Sequence, residues 1–470
     1  MFVVIAVVIT LLGITAGRRA LKSGSSVEAM RPSLVLPVAF AAYFGLGGLA
    51  AYHLDSYYLI TGLTRDNYGF AAAYALVALL CFLIGARLGE SGHASGSVGY
   101  RQVWPSQGAA WLAAFLLVAN WATRLWLAKQ GLVIKGTFNI FVASSVWARI
   151  AIVAQNDLGF VLAIVLGIAS TKSRLWAVVA VVAGVGEMAF FALTINRTQG
   201  LVFIALALAA RFLTQGVQQW RKLGAALAGL GVVMAAIFYT GQAVRNALYK
   251  DLQAFIDQDI GRMTGLVWEA LLHPEIPTAD ETFYANRLNP YDFFGSVLYA
   301  LDEQDQASLS GRTFATYVPL VVPRLAWQGK PDPTLDAEGS ILQDFSLPFI
   351  DSMVTLVAEL YANFRLLGVV AGYVMLGLWY GFLHRRVLQR PGGYTEWDVA
   401  MYLLFLVPLC WMENAISDTY LPRYRDALVS LAVLWVLVAV LRVVKPTRRP
   451  LPGPQQPEPA GDGEALTFGS

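Results

Sequence analysis

Long apolar runs, broken by short charged joints, set the pattern of this chain. A helix rising 1.5 Å per residue needs about 20 apolar residues to cross a hydrocarbon core roughly 30 Å thick. By that measure the pattern predicts eleven spans, near 1–17, 33–52, 70–87, 109–128, 151–171, 175–194, 201–216, 223–243, 353–383, 398–412 and 427–442. One long polar interruption, 244–352, reads as helical over 244–273 and as irregular and turn-rich from Pro274 onward. The tail 447–470, rich in Pro, Gly and Glu, reads as disordered. The expected organisation is an N-terminal bundle of eight spans (1–243), the long segment (244–352), three C-terminal spans (353–446) and the tail (447–470). The fold class is thus an all-α polytopic membrane bundle of about 11 helices with a large, partly helical loop.

Charge placement orients that bundle. Arg18, Arg19, Lys22 and Arg31 follow the first span; Arg87 and Arg101, Lys172 and Arg174, Arg211, Arg221 and Lys222, and Arg385, Arg386 and Arg390 mark every alternate joint after it. The positive-inside rule assigns these joints, and the basic stretch Arg442–Arg449, to the cytoplasm. The first run has no basic residues before it and three after it, the reverse of a cleaved signal peptide, so it is expected to stay as a helix with its N-terminus outside. The long segment, with more acids than bases, then also lies outside. Two outer joints break the rule by being basic: 124–149, with Arg124, Lys129, Lys135 and Arg149, and the predicted tight turn Asn196-Arg197-Thr198-Gln199-Gly200. Random leakage and an anion facing them are both open explanations.

Composition agrees: 57% of residues are hydrophobic and 14% charged, against about 25% charged in soluble domains. The two cysteines, Cys81 and Cys410, lie in separate apolar runs and form no disulfide framework. Four histidines without an HExxH pair argue against a transition metal, and the spacing leaves an oxygen-ligated divalent ion open. No Walker A or GxGxxG pattern occurs, which disfavours a nucleotide-driven pump. No cofactor and no nucleic-acid partner are expected.

Ionisable groups deep in a bilayer are costly and mark function by default. Glu187 is the clearest of them; most charge gathers instead at the outer span ends, which favours interfacial chemistry over passage through the membrane. Arg197, Arg245 and Lys250 adjoin spans; Arg312, Arg324 and Lys330 lie late in the long segment; Arg423 and Arg425 lie in the last outer loop. A guanidinium fork suits a diphosphate, although each arginine can equally pair with a loop acid or snorkel to headgroups. Glu359 is expected on one helical face with Asn363 at i+4. It is a candidate general base, with Glu413 and Asp418 as rivals, or simply a favourable charge near a helix start. Tyr317, Trp327, Tyr361 and Phe364 are candidates to stack on sugar rings.

In order along the chain, the Arg197 turn, Tyr317-Val-Pro-Leu-Val-Val-Pro-Arg324 with Trp327 and Gly329-Lys330-Pro331, and Glu359-Leu-Tyr361-Ala-Asn363-Phe364 resemble the Wzy-type O-antigen or oligosaccharide repeat-unit polymerases of bacterial envelopes. Such proteins often carry glycine after the Asn-Phe pair; here Arg365 stands there. The resemblance implies a GT-C-like inner-membrane enzyme, N-terminus periplasmic and C-terminus cytoplasmic. Its partners would be membrane lipids and a lipid-linked oligosaccharide, with a chain-length regulator protein as a further candidate. The implied reaction transfers a growing glycan from undecaprenyl pyrophosphate onto the next lipid-linked repeat unit. Displacement without a covalent intermediate would invert the anomeric centre. Glu359 and Glu413 are the catalytic candidates; Arg197, Arg245, Arg312, Arg324, Lys330, Tyr361, Asn363 and Arg423 are the candidates for holding diphosphate and glycan. The competing readings are a ligase using the same donor, a flippase for lipid-linked sugars, and a non-catalytic envelope scaffold.

Overall fold

The computed structural model describes residues 1–53, 65–91, 99–104, 106–129, 146–193, 197–215, 260–272, 289–322, 327, 337–347, 354–410 and 421–444. Every regular element among these residues is helical, apart from one isolated bridge between Tyr100 and Tyr394. The main helices are α1 (Phe2–Lys22), α2 (Pro32–Phe40), α3 (Arg65–Glu90), α4 (Ser106–Lys129), α5 (Val146–Ala169), α6 (Arg174–Leu193) and α7 (Arg197–Gln215). They continue with α8 (Ile260–Leu272), α9 (Asp292–Leu298), α10 (Arg312–Tyr317), α11 (Ala337–Asp344), α12 (Leu356–Val387), α13 (Glu396–Leu406) and α14 (Leu421–Val444).

Among the described residues, five stretches are long and apolar enough to cross a membrane: Phe2–Lys22, Pro32–Ala50, Asp66–Glu90, Gln107–Leu127 and Leu356–Val387. Asp157–Ala169 and Gln199–Gln215 are shorter apolar helices. Of the eleven predicted intervals, 223–243 lies outside the described residues, and helix occupies some part of each of the others.

The pattern misread several local features. Pro37 lies inside α2, and the helix widens just after it into a π-turn over Ala41–Gly47, as expected where proline withdraws an N–H. The predicted span 398–412 leaves α-geometry at Leu406 for a 3₁₀ turn through Pro408. The segment after Pro274 is not uniformly irregular, since α9, α10 and α11 form within it. Residues Arg197 to Gly200 are the first turn of α7 rather than a tight turn.

The closest packing joins α3 to α12. A methyl group placed at Gly85 would lie 2.2 Å from the carbonyl oxygen of Val374, and one at Gly89 2.6 Å from that of Leu378. The partner helix repeats the device: Gly377 meets the carbonyl of Phe82 at 2.3 Å and Gly381 that of Ala86 at 2.4 Å. Two small-xxx-small motifs, Gly85/Gly89 and Gly377/Gly381, therefore face each other. Lipid tails are as apolar as leucine, so helices in a membrane gain from such close backbone contact rather than from leaving water.

Packing crosses the sequence divisions. At one end Phe2 stands edge-on to Tyr291, ring centroids 5.0 Å apart, and the Tyr291 hydroxyl donates to the carbonyl of Phe44 at 2.6 Å. The long segment is thus seated on α1, α2 and α3. At the opposite end Ser33 donates from N and Oγ to Glu90, at 3.1 and 2.8 Å, and Gln389 donates to Glu28. Glu396 there accepts from Tyr100 at 2.7 Å and from the Val103 N–H at 2.9 Å.

Replacing Gly377 with leucine is expected to cost about 3 kcal/mol or more, the upper end of ordinary overpacking, because backbone cannot yield as a side chain does. Gly99→Ala, which meets nothing within 4 Å, should leave stability unchanged. Thermal midpoints in detergent check both; equal midpoints for the two variants would contradict the packing.

Candidate functional site

The chemistry gathers where α12 breaks. Thr355 caps the helix by accepting the Ala358 N–H at 3.3 Å, and the helix then runs only to Asn363. Phe364 (φ −137°) and Arg365 (φ +52°, ψ −147°) are non-helical, and the helix resumes beyond them. A break frees carbonyls, and buried backbone groups need partners. The long segment supplies them: the N–H groups of Leu309 and Ser310 donate to the carbonyls of Ala362 and Asn363 at 2.9 and 3.0 Å.

Side chains lock the same junction. Thr313, at the start of α10, donates to Glu359 Oε1 at 3.1 Å. Asn363 Nδ2 donates to Thr313 Oγ1 and to the Glu359 carbonyl, each at 2.8 Å. Glu359 and Asn363 do share a helical face, and both are fully buried. Their geometry is that of a clamp holding α10 against the N-terminal part of α12. In this arrangement the Glu359 carboxylate presents no surface to an acceptor.

Arg365 adopts a φ/ψ region that glycine alone enters cheaply; such strain costs on the order of 1–3 kcal/mol. The guanidinium pairs with Asp302 at 3.1 Å and reaches the carbonyls of Leu301 and Gln306. Tyr361 donates to the same Asp302 at 3.0 Å and packs against Tyr74 and Phe294. Tyr361 and Tyr317 are buried, so neither offers a ring face to a sugar. Phe364 and Trp327 are exposed, and Phe364 stacks on Phe314 with centroids 6.0 Å apart.

The candidate cations separate into groups. Arg312, itself exposed, pairs with the largely covered Asp344 at 2.9 Å, the acid-pairing alternative. Arg423 lies at the start of α14, 3.6 Å from Asp157 of α5. Arg197 is the first residue of α7. Arg245, Arg324, Lys330, Glu413 and Asp418 lie outside the described residues. The 3₁₀ turn Val318–Val321 that follows α10 contacts α14, and Tyr424, next to Arg423, donates to the Tyr380 hydroxyl of α12 at 2.8 Å.

Arg124 is not an outer cation awaiting an anion. It lies within α4, buried, and grips Glu187 of α6 with both terminal nitrogens, Nη2 at 2.6 Å from Oε2. Asn120 donates to the same carboxylate at 2.8 Å, and Phe190 and Phe191 face the guanidinium at 4.2 and 4.9 Å. Two features escaped sequence reasoning. Asp157 sat unremarked inside a predicted span, although an acid in an apolar run is itself a signal. Asp292 is buried in α9, accepting from Tyr68 and, at 2.9 Å, from Asn289. Burial pushes its carboxyl up to about 7, against the two hydrogen bonds, which act to lower it.

Among the described residues no group of three or more His, Cys, Asp or Glu is placed to hold a metal ion. Comparison of the chain with protein-family profiles, with curated proteins and with solved structures finds no match.

Asn363→Ala should loosen the long segment by about 1–3 kcal/mol, the cost of stranding a buried hydrogen-bonding group. Limited proteolysis between residues 289 and 347 should accelerate roughly tenfold; an unchanged rate would refute the clamp. The raised Asp292 gives a pH test. A carboxyl with a raised folded-state pKa contributes stability that is present below its unfolded value and lost as pH climbs to about 7. The wild-type thermal midpoint should therefore fall from about pH 4 to about pH 7, and Asp292→Asn should flatten that part of the slope. An equally steep slope in the variant would exclude Asp292 as its source.

Proposed function

We propose that the chain polymerises undecaprenyl-pyrophosphate-linked oligosaccharide repeat units at the periplasmic face of a bacterial inner membrane, as an eleven-span protein with its N-terminus outside and its C-terminus inside. The observation that carries this reading is the placement of the helix break in α12. It falls eight residues after the helix start, about 12 Å along the axis, and is covered by the long segment. A transporter breaks its helices near the midplane and leaves polar groups there for its cargo. Here the deep Glu187 is already neutralised by Arg124, while strain, exposed aromatics and exchangeable ion pairs gather at one end.

That end has the parts the reaction requires. The donor carries its own leaving group, so the protein needs cations for the diphosphate and a carboxylate for the proton of the acceptor hydroxyl. Arg312 and Arg365 sit beside the Phe314–Phe364 stack, joined through the close approach of Gly311 to Phe364. The Arg365–Asp302 pair is exposed on both sides and so worth little, and an incoming diphosphate can replace it. Arg197, Arg245, Arg324 and Lys330 are the further cations of this reading.

Deleting the gene tests the reading. Loss of a polymerase leaves single repeats on the final acceptor; loss of a ligase leaves long chains on the carrier. A deletion strain with unaltered surface glycan would refute both.

A further inference from the structure

Stability alone does not account for the residue at the strained position of α12. Arg365 adopts φ +52° and ψ −147°, a region that glycine enters without steric cost and other residues only under strain. The contacts of its guanidinium offset little of that strain. The ion pair with Asp302, 3.1 Å long, is 45% exposed on one side and 42% on the other, and exposed pairs contribute little. The carbonyls of Leu301 and Gln306 lie 3.3 and 3.4 Å from Nη2, longer than the usual hydrogen bond. Strain that persists in this way collects at ligand clamps and active sites.

The setting indicates what would be clamped. The break lies inside Leu356–Val387, a stretch long enough to cross a membrane, where an exposed cation is costly unless it meets an anion or a headgroup. Consecutive residues there are exposed together: Phe364 by 44%, then Arg365, Leu366 by 45% and Leu367 by 75%. Phe364 stacks on Phe314, and Gly311 (φ +88°) brings the start of α10, with the exposed Arg312, against the same ring. One turn of chain thus offers a guanidinium directly beside apolar surface. That combination suits an amphiphile whose anionic head is joined to a hydrocarbon chain, rather than a soluble anion.

We propose that Phe364–Leu367 is the seat of the polyprenyl diphosphate carrier and that Arg365 is the residue that holds its head, an inference resting on the polymerase reading. In the structure Asp302 occupies the guanidinium. The diphosphate, multiply charged, displaces that single carboxylate and meets the planar fork with paired, charge-assisted hydrogen bonds. Asp302 keeps its hydrogen bond from Tyr361 and is exposed, so the exchange strands no buried charge. The first isoprene units lie along Leu366 and Leu367. A cation is thereby placed at the one point where α12 opens, and glycine at this position would fold as well or better and bind worse.

The test titrates purified full-length protein in detergent with undecaprenyl diphosphate, phosphatidylglycerol or inorganic pyrophosphate, reading the thermal midpoint and the Kd. Before any addition, Arg365→Gly should leave the midpoint unchanged or raise it. The same variant should weaken carrier binding at least about tenfold, the scale of a lost hydrogen bond to a charged group. Asp302→Asn removes the competing carboxylate and should tighten the carrier. A midpoint lowered by Arg365→Gly would make Arg365 a structural residue and overturn the assignment, and so would a carrier Kd that this variant leaves unchanged. Phosphatidylglycerol bound as tightly as the carrier would make this a seat for any anionic headgroup. Pyrophosphate bound as tightly would remove Leu366 and Leu367 from it; either result refutes the carrier. If Arg365→Gly fails to accumulate, Asp302→Asn decides alone, and a carrier Kd that it does not tighten overturns the proposal. Failure of the polymerase reading shows elsewhere, as unaltered glycan in the deletion strain, whereas loss of the seat shows in these titrations.

Discussion

The backbone-to-backbone approach of α3 and α12 is the constraint on which the rest of the arrangement depends. In a membrane no water is released when apolar helices meet, so close van der Waals contact must hold them. Gly85, Gly89, Gly377 and Gly381 permit that contact because a side chain at any of them would collide with the opposite backbone. The pairing fixes where the N-terminal part of α12 emerges. It places Tyr361 against Tyr74 of α3 and Phe294 of α9, and so decides where the long segment can dock.

Electrostatics is the second constraint. A lone charge in the bundle would cost several kcal/mol, and the chain meets this by closing charges in place. Arg124 and Glu187 form a bidentate pair with an aromatic surround. Glu359 is satisfied by Thr313.

The sequence made the helices legible because hydrocarbon thickness leaves few alternatives to a run of about 20 apolar residues. The shared face of Glu359 and Asn363 followed from helical period alone. The break at Phe364-Arg365 was hidden, since no proline marks it and the strained position holds arginine where glycine would have signalled it. The Arg124–Glu187 pair spans 63 residues of sequence, and no local pattern reports such a partner; read alone, each member suggested function. The Gly-xxx-Gly pairs were visible as spacing, but which helix each one meets is a tertiary fact. Asp157 could have been singled out by its apolar setting, whereas no local pattern marks its partner Arg423, far along the chain in α14.

The functional account joins two threads: a clamped long segment and a strained helix break at one end of the bundle. Its most direct measurement is reconstitution of the purified protein in liposomes with lipid-linked repeat units extracted from the deletion strain. The account predicts a ladder of glycans of two, three and more repeats on the carrier, with one undecaprenyl pyrophosphate released for each linkage formed. Repeat units that remain single, or that cross the bilayer without forming a bond, would contradict it.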